Sequence, residues 1–103
     1  DLRLGSIAYR VRASFLPGKD RTVSDCLEEM LMHRMDLSDG AVLEKSCVYI
    51  VPLQEGLNLP DDLAAAGNPK SSTGRLDVFT RLITDNGTEF EQVPACYCGP
   101  LYA

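Results

Sequence analysis

The sequence predicts a mainly β domain carrying one convincing helix. Three observations lead there. Short alternating or β-rich runs recur along the chain, Gly, Pro, Asn and Asp separate them, and one segment alone carries a clear helical period. At 103 residues there is room for one compact domain with a modest core. A content of 45% hydrophobic and 24% charged residues is that of a folded protein rather than a disordered one.

The first element is SIAYRVRASFL at 6–16, which alternates. Ile7, Tyr9, Val11, Ala13 and Phe15 are expected on one face, and Ser6, Arg10, Arg12 and Ser14 on the other, as in a half-buried strand. PGKDR ends it. The helix follows, with Thr22 as cap and Asp25, Glu28 and Glu29 in the early turns. Val23, Cys26, Leu27, Met30, Leu31 and Arg34 then form a stripe at spacings of three and four. His33 is the one histidine of the chain, and it is expected near the helix C-terminus, where it would meet the dipole favourably.

LSDGA reads as a turn, and AVLEKSCVYIVPL as extended chain with a central-strand segment at 47–51. Pro60 is suited to open a short helical turn through Asp61–Ala66, ended by Gly67. LDVFTRLIT is β-rich, Asn86-Gly87 supplies a turn, EFEQVP resumes extended, and CYCGPLYA closes as a strand interrupted by glycine.

The global balance narrows the function. A net charge of −5 argues against a general grip on nucleic acid, which needs a basic stripe. No apolar run has the length of a membrane span, and no signal peptide is expected. The start at Asp1 and the end at GPLYA lead us to expect a partial domain over 1–103, cut at both ends from a longer protein. Cys26 and Cys47 fall in apolar segments, and Cys96 and Cys98 would share one face of a strand. A reduced, cytoplasmic protein is the expectation.

The candidate chemistry lies in NPKSSTGRLD at 68–77. Ser71, Ser72 and Thr73 offer hydroxyls and backbone N–H groups, and Gly74 permits close approach or a positive φ. Lys70 and Arg75 add cationic groups, and a guanidinium grips phosphate oxygens in pairs. Such a turn can form an anion-binding nest, or be a polar turn with two solvated charges. It is not a P-loop. A zinc deaminase needs H-x-E and P-C-x-x-C. Here His33 is followed by Arg34 and Met35, and Pro94 opens P-x-C-x-C, so both halves fail and zinc is not expected.

NPKSSTGRLD, with DLRLG at the start and GPLYA at the end, resembles bacterial 2′-deoxycytidine 5′-triphosphate (dCTP) deaminase of the dUTPase-like superfamily. AYRVRASFLPG and VYIVPL resemble its longer form, so the likeness runs over nearly the whole chain. The resemblance implies a distorted jelly-roll barrel of the β-clip type, assembled as a homotrimer with active sites between subunits. It also implies zinc-independent deamination of dCTP to dUTP, with Mg²⁺ held mainly by phosphate oxygens. Carried onto this sequence, Ser71 and Arg75 place the water and the reacting base, and Lys70, Ser71, Ser72 and Arg75 meet the nucleotide.

Lys70 stands where the short form commonly has arginine, which keeps the charge and loses the fork. Asp1 resembles the aspartate of the superfamily's first motif, near metal and phosphates. Tyr97-x-Gly99-x-x-x-x leads toward the family's general-base glutamate, expected directly after Ala103. The connection TDNGTEFEQVPA is longer than in the short enzymes, and nothing is carried over between Thr84 and Pro94. dUTP diphosphatase activity, both activities in one site, and a non-catalytic half kept for trimer packing or nucleotide binding are the alternatives.

Overall fold

The computed structural model describes residues 1–103. The alternating segment becomes strand β1, Ile7–Val11, shorter than its pattern. A register shift between Arg10 and Val11, where Met32 of the pairing strand is left over, marks a bulge. The buried residues of β1 are Ala8 and Val11 rather than a strict every-other set. Tyr9 remains half-buried against the core edge.

Helix α1, Val23–Met30, starts as expected. Thr22 Oγ1 accepts the Asp25 N–H at 3.2 Å and Asp25 Oδ2 accepts the Thr22 N–H at 3.0 Å, a complete capping box. Hydrogen bonds from the Thr22 backbone and then its hydroxyl hold the Asp25 carboxyl below its ordinary range. Val23, Cys26 and Leu27 face the core.

The helix ends earlier than its stripe. Leu31–Asp36 is strand β2, antiparallel to β1, so Leu31 and Arg34 leave the helix and His33 lies opposite Arg10 in a sheet. Neither glycine nor proline marks the change. Pairing along β1 satisfies the backbone of 31–36, and that outweighs local helical preference. β3, Val48–Ile50, pairs with the other edge of β1 and completes the order β2-β1-β3.

The second sheet has β4 (Pro52–Asn58) and β6 (Ile83–Thr84) flanking β8 (Cys98–Tyr102). Asp61–Ala66 is not helical. Asp61-Asp62 form a turn, and Ala65–Ala66 make β5, paired with β7 at Gln92–Val93. Leu76–Arg81 is not a strand either, because no partner strand runs beside it and its apolar residues stay in solvent. The turn at Asn86-Gly87 is present, with Asn86 at φ 58°. Cys96, at φ 65°, sits in a turn outside β8, so it does not share a strand face with Cys98. All four cysteines are free thiols.

One core cluster joins Val11, Val23, Leu27, Ile50, Ile83 and Tyr102, and the second joins Val93, Tyr97 and Leu101. β8 feeds both, since Leu101 and Tyr102 fall in different clusters. Between them Thr84, 1% exposed, has a hydroxyl with no hydrogen-bond partner. A buried, unpaired hydroxyl costs about 1–3 kcal/mol. Thr84→Val keeps the shape and removes that cost, so a thermal midpoint equal to or above that of the parent is expected in calorimetry. A clear fall would mean that the hydroxyl has a partner.

Candidate functional site

NPKSSTGRLD is not an irregular nest. Ser71–Arg75 forms a short helix, α2, with Lys70 at its N-cap position and no side-chain cap. Lys70 O accepts the Thr73 N–H at 3.0 Å and Asp77, at φ 57°, follows the last turn. Ser71 and Arg75 are four residues apart, so they share one helix face, while Ser72 is turned about 100° from Ser71. None of the helix residues is buried. Ser71, Ser72, Arg75 and Lys70 are all exposed. Lys70 Nζ meets Asp1 Oδ2 at 2.8 Å, which brings the N-terminal aspartate to the Ser-Ser segment.

The helix belongs to an arm, residues 68–81, whose two ends are clamped together. Glu91 holds both. Its carbonyl accepts the Gly67 N–H at 2.8 Å, its N–H meets Leu82 O at 3.0 Å, and its Oε1 accepts the Leu82 N–H at 2.7 Å. Leu82 lies against the bare face of Gly67, where a Cβ would come within 2.6 Å of Leu82 Cδ2. A loop of this length with adjoining ends is an Ω-type excursion. Beyond the clamp the arm leaves the core: Leu76 is 76% exposed, Val78 47% and Phe79 94%. Arg81, at the returning end, stands 5.9 Å over the Phe90 ring.

The arm therefore presents two serines and an arginine free of intrachain ion pairs, with Lys70 and Asp1 beside them and an apolar flank following. Hydroxyl, guanidinium and ammonium groups of this kind recognise phosphate oxygens or orient water. His33, Cys96 and Cys98 do not join it. His33 is on β2 of the first sheet, while Cys98 opens β8 of the second and Cys96 Sγ contacts Asp61 Oδ1 at 3.1 Å. No group of three or more His, Cys, Asp or Glu side chains gathers anywhere in the chain. No helix is long and apolar enough to cross a membrane. Sequence reasoning missed the Glu91 clamp, because a glutamate at a positive φ of 70° holding two distant backbone segments has no local signature.

Fold and arm together define a mainly β domain with one projecting, polar-tipped arm. The crystal structure of 2′-deoxycytidine 5′-triphosphate deaminase from Agrobacterium tumefaciens matches 99% of this chain with a TM-score of 0.95 and 66% identity. The match takes up 30% of that chain, so the sequence spans under a third of its length. No match is found among curated proteins. Residues 1–103 match the model of the 2′-deoxycytidine 5′-triphosphate deaminase (DCD) N-terminal domain. The chain belongs to that family.

Proposed function

We propose that the protein carrying this domain removes ammonia hydrolytically from C4 of the cytosine of dCTP, giving dUTP. The family match and the 66% identity to a dCTP deaminase carry this reading. The chemistry is concrete. Water adds to C4 with one of its protons passing to N3, the bond from C4 to the exocyclic nitrogen breaks, and ammonia leaves with the other proton, so that C4 is left as a carbonyl. Ser71 holds the attacking water through its hydroxyl, and Arg75, on the same face of α2, steadies the charge that develops beside it. The base is a glutamate directly after Ala103, at the end of β8.

Lys70 and Ser72 receive the triphosphate, and the anion competes with Asp1 for the Lys70 ammonium. Mg²⁺ arrives on the phosphate oxygens of the substrate. Zinc takes no part in this scheme. The exposed flank at Leu76, Val78 and Phe79 supports a homotrimeric assembly that covers the arm and closes the site between subunits. Four free thiols fit a cytoplasmic setting.

The test is incubation of the full-length protein with dCTP and Mg²⁺, followed by chromatographic separation of nucleotides. Appearance of dUTP with released ammonia is expected. Accumulation of dUMP and pyrophosphate would assign the coupled deaminase–diphosphatase. Intact dCTP that raises the thermal midpoint would leave a binding domain without catalysis.

A further inference from the structure

We propose that Tyr97 is a positioning residue for this reaction, setting the end of β8 against the base of the arm. The inference rests on the deaminase reading above and concerns a residue that would touch neither substrate nor metal. β6 is two residues long and pairs with β8 through Ile83 opposite Tyr102 and Thr84 opposite Leu101. The next rung would set Asp85 against Pro100. There the Tyr97 hydroxyl is interposed: it accepts the Asp85 N–H at 3.1 Å and donates to the Pro100 carbonyl at 2.5 Å. A side chain thus stands where a backbone bond would, and it holds the strands apart at that point.

Four further facts make this bridge consequential. Tyr97 is 8% exposed and packed with Val93 and Leu101, so its hydroxyl has little freedom to move. Gly99 leaves it room, since a Cβ there would fall 3.0 Å from the hydroxyl. Asp85 in turn accepts the Val23 N–H at 2.8 Å, which carries the constraint on to the start of α1. Leu82, the returning foot of the arm, immediately precedes β6, and Ala103 immediately follows β8. With only two rungs between these strands, the bridge is a third fixed point. It fixes how Ser71 and Arg75 stand relative to the end of β8. Small displacements between reacting groups cost rate rather than affinity.

The experiment is Tyr97→Phe in the full-length protein, read by steady-state kinetics on dCTP and by amide exchange at Asp85. The expected result is a kcat lower by about ten- to a hundredfold with KM changed less than about threefold, together with faster exchange at Asp85. Rapid Asp85 exchange with an unchanged kcat would overturn the proposal, because the bridge would then be structural only. If Tyr97→Phe does not fold, Gly99→Ala, which crowds the hydroxyl without removing it, is expected to show a milder fall confined to kcat. An unchanged kcat in that variant overturns the proposal as well. A parent protein that leaves dCTP intact would remove the deaminase reading and this proposal together, whereas an active parent with an equally active variant removes this one alone.

Discussion

Ser71→Ala in the full-length protein is expected to lower turnover of dCTP by about a hundredfold or more, the scale of losing a positioned catalytic group. The argument starts from what the residue does not do. It is exposed, α2 buries nothing, and the first turn of the helix carries no side-chain cap, so alanine removes no fold-stabilising contact. Alanine is also the better helix former. The thermal midpoint should therefore stay within a degree or two, on the order of a neutral surface change.

What the hydroxyl does, on our reading, is hold the attacking water on the face of α2 that Arg75 shares. Loss of an interaction used mainly in the transition state lowers kcat and leaves KM nearly unchanged. Ser72→Ala, directed at the phosphates, should instead raise KM. Chromatographic initial rates across a range of dCTP concentrations separate the two. Full activity in Ser71→Ala would remove the role assigned to this serine.

The start of α1 was legible because a capping box is local: Thr22 and Asp25 are three apart and need nothing else. Its end was not. The stripe through Leu31 and Arg34 is helical in period, yet β1 offers six residues a paired edge, and distant pairing overrode the local pattern. The same competition explains Ala65–Ala66, drawn from a helical turn into β5 by Val93 and Gln92. LDVFT failed for the opposite reason. Its β propensity found no neighbour, so Val78 and Phe79 are left in solvent.

The candidate site residues were singled out by motif, and their standing on a clamped arm was not. Ser71 and Arg75 read as loop because serine and glycine favour turns, while the five residues between Lys70 and Leu76 close into a helix. The Asp1–Lys70 pair joins positions far apart in sequence, and Glu91 clamps Gly67 to Leu82 from a turn inside EFEQVP, a segment that reads only as extended chain. Motifs single out candidate side chains. The contacts that aim them are spread through the chain and emerge only when it folds.

The stability of that aim depends on β8, which leads to the second large expected effect. Leu101 is 1% exposed and lies on the strand between β4 and β6. It sits in a cluster with Val93 and Tyr97, against which Leu53, Leu57, Leu59, Ala65 and Leu82 pack. Leu101→Ala removes buried carbon and leaves a cavity, at a cost of about 2–5 kcal/mol. Domains of this size have only about 5–15 kcal/mol to lose.

Two of the groups around that cavity, Tyr97 and Leu82, are the strand bridge and the foot of the arm. The loss should therefore appear first as faster amide exchange at Asp85 and Leu82, before any global melting. Leu43→Ala is the matched control. The residue type is the same, but Leu43 is half-exposed, belongs to neither core cluster and lies outside the arm, so the melting of the domain should barely change. If Leu101→Ala costs less than about 1 kcal/mol in denaturant titration, β8 is not the strand on which the second core is built. If it costs what burial predicts, the arm and the strand end share one stability, and activity should decline with temperature in step with exchange at the clamp.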